Sequence, residues 1–326
     1  MRVGIVVIGR NEGERLRHCL ESLETSDAAV IYVDSGSTDT SIEVALGFRA
    51  EVTELDSTYP FTAARARNVG FARLHELDPD IEFVQFIDGD CELAPGWLEI
   101  AIGTIAQRTD VAIIVGSLRE KLRNRSVYNR LCDMEWNLPA GETNDCGGIL
   151  LMRTSAFVEA EGFHPDIIAG EDSELCYRLR RLGFKALRLD HEMARHDANI
   201  EKFGQWWRRA KRSGHAYAEA YALHGSEPGR FRRRQILSVL LWTIGLPIIT
   251  IVSIWLLGPF GLILLLGYPA LICRIFAHRL KIGDEKFDAI LYALFNTIGK
   301  FAELLGLLAY WNRRFRKMQP RIIEYK

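Results

Sequence analysis

The sequence has no cysteine pair at metal or redox spacing. Its six cysteines, Cys19, Cys91, Cys132, Cys146, Cys176 and Cys273, include no C-x-x-C arrangement, which excludes a thiolate zinc site or a redox dithiol of that kind and suits reduced thiols in a cytosolic domain. It also lacks an excess of charge of either sign. With 41 basic and 42 acidic residues the formal net charge is −1, so composition makes no case for a nucleic-acid partner. Repeats and low-complexity tracts are absent, and 48% apolar with 25% charged residues exclude a disordered or collagen-like chain. The N-terminus, MRVGIVVIG, has one basic residue and an apolar run that stops at Gly9, the pattern of a buried strand rather than a signal peptide.

The 326 residues are read as one catalytic-sized domain plus an appendage. From Val3 to about Leu118, apolar runs alternate with segments of helical period: Val3 to Ile8, Ala29 to Val33, Glu51 to Leu55, Phe83 to Ile87 and Val111 to Val115. Strands apolar on both faces belong in a mostly parallel sheet covered by helices. Between them Leu16, Leu20 and Leu23 share one helix face, and Ala66, Val69, Ala72 and Leu77 are expected to share another. This is the alternation of a doubly wound α/β fold. From Leu118 to about Gly229 the texture is mixed, with charged helices expected at Asp172 to Leu182 and Glu201 to Leu223.

The C-terminal region changes solvent. After Arg230, Arg232, Arg233 and Arg234, the stretch Leu237 to Leu257 runs about 21 residues without a charge, enough to cross a hydrocarbon core. Gly258-Pro259 breaks it, and a second apolar run reaches about Phe276, roughly 26 Å as a helix. A third segment, Ile290 to Trp311, carries Asn296, Lys300 and Glu303 on one side and ends at Arg313, Arg314, Arg316 and Lys317, which suits an interfacial amphipathic helix or a third span. The division expected is residues 1–229 as the α/β domain and 230–326 as a membrane-anchoring region, with a hairpin at about 237–276 and a further helix at about 288–311. Basic clusters flank the hairpin and none lies at its tip, which puts both ends and the large domain on the cytoplasmic side of a membrane.

Polar clusters follow the strands: Gly9-Arg10-Asn11-Glu12, Asp34-Ser35-Gly36-Ser37-Thr38-Asp39 and Asp88-Gly89-Asp90. Ligands of open α/β sheets bind beyond the carboxyl ends of the strands, so three such clusters point to one rim. Asp88 and Asp90 can hold Mg²⁺ or Mn²⁺ against a diphosphate, with Gly89 letting the backbone approach; an acidic turn is the plainer alternative. Arg10, Asn11, Glu12, Asp34 and Ser35 offer donors and acceptors to a nucleoside, and they are equally what helix caps use.

In this order, IVVIGRNEGERLRHCLESL, VIYVDSGSTDTS, AARARNVGFA, FVQFIDGDCELAPGWLE, GGILLMRTSAF and GEDSELCYRLRRLGFK resemble the family 2 glycosyltransferases of the GT-A fold, over roughly Met1 to Arg195. The resemblance implies a Rossmann-like, mostly parallel sheet with helices on both faces. It implies that Asp88-Gly89-Asp90 is a D-x-D motif, Asp88 near the ribose and Asp90 on the metal and diphosphate. Arg10, Glu12, Asp34 and Ser35 would line the nucleoside pocket, and Arg67 would reach base or phosphate. Glu171-Asp172 resembles the E-D motif, with Asp172 as general base, and His196 resembles a histidine that completes the metal site. Two positions depart from the pattern: Arg10 stands where many relatives have an aromatic residue, and Ser35 where many have a second acid. Gln205-Trp206-Trp207-Arg208-Arg209 only loosely resembles the Q-x-x-R-W motif of processive synthases, and Trp206 and Trp207 serve equally as membrane-interface anchors or as core.

The activity this implies is inverting, metal-dependent (Mn²⁺ or Mg²⁺) transfer of a single sugar from a UDP- or GDP-sugar to a lipid-linked or other glycan acceptor near the membrane, in glycan or cell-envelope polysaccharide synthesis. No nucleic-acid partner is expected, and a homo-oligomer is compatible with the organisation. The competing readings are a processive polysaccharide synthase and a non-catalytic nucleotide-sugar-binding scaffold.

Overall fold

A computed structural model describes residues 1–318 apart from 25, 27 and 228; residues 319–326 at the end of the expected anchoring region lie outside the described residues. The described residues form two compact units, one of residues 1–122 and 135–198, the other of residues 123–134 and 199–318.

The first unit is built on a mixed sheet whose strands are β1 (Val3–Gly9), β2 (Ala29–Asp34), β3 (Glu51–Glu54), β4 (Phe83–Asp88), β5 (Cys91–Leu93), β6 (Val111–Glu120), β7 (Gly141–Thr143), β8 (Leu150–Arg153) and β9 (Lys185–His196). The order is β3-β2-β1-β4-β8-β6-β9-β5, with β7 beside β9. The parallel, Rossmann-like half expected from the apolar runs is β3-β2-β1-β4. Beyond β4 the sheet is mixed: β8 is antiparallel to β4 and β6, β9 is parallel to β6, and β5 and β7 are antiparallel to β9. Ile5, Val6, Val7, Ile31, Val33, Phe86 and Ile87 have no exposed surface, as strands covered on both faces require.

Register then sets the rim. Gly9 pairs with Asp34, and Ile8 with Asp88, so the three polar clusters leave the sheet side by side. The helix Glu14–Leu23 covers one face through Leu16, Cys19, Leu20 and Leu23. The helix Ala63–Leu77 is started by Thr62, whose side chain accepts the Arg65 N–H at 3.1 Å, a standard N-cap. It buries Ala64, Ala66, Arg67, Gly70 and Leu74, whereas periodicity had pointed to Ala66, Val69, Ala72 and Leu77; Leu77 is exposed. Gly70 turns inward because a Cβ there would lie 2.4 Å from Val6 Cγ1, so the backbone itself sits against the sheet.

The second unit holds the aromatic and apolar helices. Phe203–His224 belongs to it, and crosses Lys286–Phe315 closely: Cβ atoms at Gly214 and Gly306 would each lie 2.0 Å from a facing backbone oxygen. Trp206 is buried here, with its ring 4.8 Å from that of Phe295, which assigns it to the core. Asp288 is buried and paired with Arg123 and Arg130. The stretches Arg233–Lys281 and Lys286–Phe315 are long and apolar enough to cross a membrane. Within the first, the chain reverses at Gly258, whose φ is 64°, and Tyr268 donates its hydroxyl to the Trp242 carbonyl at 2.7 Å. Ile251, Trp255, Leu257, Phe260 and Ile263 are exposed, apolar surface of the kind that seeks lipid or a partner.

Candidate active site

The candidate nucleotide-sugar-binding, metal and catalytic residues all lie in the first unit, in three groups.

The first group is the pair of loops after β1 and β2. Asn11, at φ 55°, accepts the Thr38 N–H on its side-chain oxygen at 2.7 Å and gives its own N–H to Ser37 Oγ at 2.9 Å. Asp34 has no exposed surface. Its Oδ2 accepts the N–H groups of Gly36 at 2.9 Å and Ser37 at 2.7 Å, and its Oδ1 accepts the Tyr32 hydroxyl at 3.1 Å. Burial, with Asp34 beside it, pushes the Tyr32 phenol well above its ordinary pKa and keeps it a donor. Asp34 thus shapes the loop from beneath, while Ser35 is nearly buried. Glu12 pairs with Arg15 at 2.8 Å. Arg10 is exposed and lies over the Phe61 ring at 5.6 Å. An aromatic group is therefore present beside Arg10, supplied from the segment before Ala63 rather than from the loop itself.

The second group joins the D-x-D turn to the helix Glu171–Arg181. Its start follows Gly170, at φ 79°, and it carries Glu171, Asp172 and Glu174 in the first turn and Arg178, Arg180 and Arg181 in the last, charges that suit the helix dipole at both ends. Arg67, 2% exposed, reaches Glu171 Oε1 at 2.6 Å with one terminal nitrogen and Asp88 Oδ1 at 2.7 Å with the other. Its face lies against the Phe163 ring at 5.5 Å. Burial by itself lowers the Arg67 pKa, and Asp88 and Glu171 more than reverse this, so the guanidinium stays charged. Rather than standing open toward a base or phosphate, Arg67 braces two acids from distant segments. Asp172 adjoins this brace; burial and the neighbouring Glu171 lift its carboxyl to about 6, against the Ser173 N–H and Arg67, which pull it down.

The sequence did not reveal what makes room for the brace. A Cβ on Gly148 would lie 2.3 Å from Arg67 Nη2 and 3.5 Å from Asp88 Oδ2. Arg67 is held at both ends and cannot swing aside cheaply, so Gly148→Ala is expected to cost about 1–3 kcal/mol through overpacking. Thermal unfolding of the variant checks this, and an unchanged melting temperature would mean that the guanidinium can shift. The Gly147-Gly148 pair ahead of an apolar run was the available signal.

The third group is Asp90, Cys91 and His196. Antiparallel pairing sets Cys91 opposite His196, which brings His196 Nε2 to 3.3 Å from Asp90 Oδ2. The Cys91 thiol lies 3.3 Å from Asp90 Oδ1. The ligand atoms of the three lie within 4.8 Å of one another. One carboxylate oxygen and one imidazole nitrogen converging at a buried spot fit a divalent cation that completes its shell with phosphate oxygens. A cleft lined by Arg15, His18, Asp90, Lys121 and Asp197 opens beside it. Gly89 keeps the turn tight, donating its N–H to the Ile8 carbonyl at 2.8 Å. Glu120, which no motif marked, has no exposed side-chain surface and lies 3.9 Å from His196 Nδ1.

Residues 4–155 match the sequence model of the family described as glycosyl transferase family 2. The pre-mycofactocin glycosyltransferase of Mycobacterium tuberculosis is 26% identical over 193 residues, 56% of this chain and 39% of that protein; the chain thus spans about two fifths of that relative's length. Glycosyltransferase AglE of Haloferax volcanii is 23% identical over 253 residues, 74% of this chain and 79% of that protein. Among solved structures, the mannosyltransferase PcManGT from Pyrobaculum calidifontis, in complex with GDP-Man and Mn²⁺, superposes with a TM-score of 0.61 at 18% identity, covering 96% of this chain and 88% of that one. Glucosyl-3-phosphoglycerate synthase from Mycobacterium tuberculosis, with Mg²⁺ and uridine diphosphate, gives 0.51 at 15% identity, covering 70% of this chain and 81% of that one.

Proposed function

We propose that this chain, which matches the glycosyl transferase family 2 model over residues 4–155 and shares the fold of solved glycosyltransferases, moves a single sugar from a UDP- or GDP-sugar to the hydroxyl of a lipid-linked or membrane-proximal acceptor, with inversion at the anomeric carbon. The observation that supports this reading is the Arg67 brace, which fastens Asp88 of the D-x-D turn to Glu171, the chain neighbour of Asp172.

Asp172 accepts the proton of the acceptor hydroxyl as its oxygen bonds to the anomeric carbon. The bond from that carbon to the nucleoside diphosphate breaks, and its electron pair leaves with the diphosphate. A carboxylate with a pKa near 6 is ionised at neutral pH and yet more basic than an ordinary aspartate, which suits a general base. Arg67 keeps Asp88 and Glu171 from repelling one another and the donor phosphates. Arg10 and Phe61 border the side where the base would lie, and Asn11, Glu12, Asp34 and Ser35 shape the loops around it. Asp90 and His196 would hold the Mn²⁺ or Mg²⁺, which when bound supplies positive charge against the leaving diphosphate.

The apolar helices support a membrane anchor. With Arg230, Arg232, Arg233 and Arg234 at one flank and Arg313, Arg314, Arg316 and Lys317 at the other, the positive-inside bias favours a cytoplasmic catalytic face. Anchoring would raise the effective concentration of membrane acceptors. Residues 1–229 would then serve catalysis and 230–326 attachment.

Thermal-shift titration of the full chain in detergent tests the donor and the cation together. A UDP- or GDP-sugar at about a hundred times its Kd should stabilise the protein by about 2.7 kcal/mol, with Mn²⁺ and not without it, and Asp90→Asn should abolish the shift. No shift across a panel of nucleotide sugars, with or without Mn²⁺, would overturn the reading.

A further inference from the structure

We propose that Glu120 is a positioning residue for the cation site: it holds the proton of His196 on Nδ1 and aims Nε2 at the ion. The inference rests on reading Asp90 and His196 as that site.

Glu120 ends β6 and is paired in register with His196 at the end of β9. Its Oε1 accepts the Leu122 N–H at 3.0 Å and its Oε2 accepts the Ala198 N–H at 3.0 Å. An ionised carboxylate is an acceptor only, and two backbone donors from the segments that follow β6 and β9 fix this one in place. The same Oε2 lies 3.9 Å from His196 Nδ1, with none of the carboxylate exposed. On the far edge of the ring, Nε2 lies 3.3 Å from Asp90 Oδ2. The imidazole therefore stands between two carboxylates, one to each nitrogen.

The two contacts have different chemistry. A histidine that offers the Nε2 lone pair to a cation must carry its proton on Nδ1, and the tautomer is set by what Nδ1 faces. At 3.9 Å the approach of Glu120 is longer than a hydrogen bond, so its hold on that proton is Coulombic, strengthened by the burial of both groups. The Trp136 ring, 4.7 Å from the imidazole centroid and at 78° to it, limits rotation. Asp90 would thus ligate directly, and Glu120 would act through His196.

Mn²⁺ titration of the full chain in detergent, followed by electron paramagnetic resonance, reads the effect. Glu120→Gln should weaken Mn²⁺ binding by about 10–100-fold, the range for loss of a partner behind a metal-bound histidine. In a His196→Asn background the same substitution should change Mn²⁺ affinity little. An equal loss in both backgrounds would make Glu120 merely structural, and Mn²⁺ affinity within twofold of wild type in Glu120→Gln would remove its role. A measurement on the unmodified chain decides the matter even if the variant does not fold. In ¹⁵N-histidine NMR of the chain saturated with diamagnetic Mg²⁺, the His196 signal, assigned by its loss in His196→Asn, should report a proton on Nδ1; a proton on Nε2 overturns the proposal. Wild-type protein whose Mn²⁺ binding is indifferent to Asp90→Asn would instead bring down the cation-site reading itself, and this inference with it.

Discussion

Asp172→Asn is expected to lower the rate of sugar transfer by about 10²–10⁴-fold, the usual contribution of a positioned general base, while donor affinity stays within about twofold. The asparagine keeps the shape of the carboxylate and cannot take the proton of the acceptor hydroxyl. Single-turnover assays beside donor titration would separate the two effects, and normal turnover would require another base. The pH profile adds a second reading. Burial and Glu171 lift the Asp172 carboxyl to about 6, so wild-type transfer should fall as pH drops below about 6 and the base becomes protonated. Stability runs the other way. The native state binds this proton more tightly than the unfolded chain, where an aspartate titrates near about 3.9. The contribution of Asp172 is therefore fully present below about 4 and is lost as pH rises through about 6. Asparagine is neutral throughout, so Asp172→Asn should melt above wild type at pH 8, with the gain shrinking toward pH 4.

The parts of this structure that follow from short-range pattern are those the sequence displays. Strands buried on both faces must be apolar along their length, and β1, β2, β4 and the first half of β6 stand out for that reason. The polar clusters after β1, β2 and β4 share a rim because parallel neighbours end together. The mixed half of the sheet was not legible in the same way. β9, KALRLDHEMARH, is studded with charges because much of it is solvent-facing, and its pairing partners β5, β6 and β7 all lie far upstream in the chain. The helix Ala63–Leu77 shows a different limit. Periodicity assigns arginine to the outside, yet Arg67 is turned inward because two acids from distant segments meet it there. Glu120 is invisible for a related reason: it follows an apolar strand like any polar terminator, and its significance lies in a ladder partner 76 positions later. Asp90 stood out as one of two acids at the end of an apolar strand, His196 and the E-D pair came from motif resemblance, and their mutual distances came only from the fold.

Arg67→Met is expected to destabilise the protein by about 3–5 kcal/mol, the cost of removing one partner from a buried ionic cluster. Methionine fills much of the same volume, so the loss would come from charge rather than from a cavity. The two acids do not share it equally. Asp88 has about a third of its side chain exposed and Glu171 only 9%, so water can screen the first and not the second. Adding Glu171→Gln to Arg67→Met should therefore recover a substantial part of the lost stability, and adding Asp88→Asn much less, in a double-mutant cycle read by thermal unfolding. Arg67→Lys should not substitute. An ammonium is a single point charge, and the brace needs two nitrogens of one planar group aimed at carboxylates that arrive from different directions. Loss of transfer should accompany each of these variants, because a D-x-D turn no longer tied to Glu171 leaves Asp172 without a fixed distance to the donor, and small misplacements of reacting groups cost orders of magnitude. If Arg67→Met melts within a degree or two of wild type, the brace is incidental and the alignment of Asp172 must come from elsewhere in the fold.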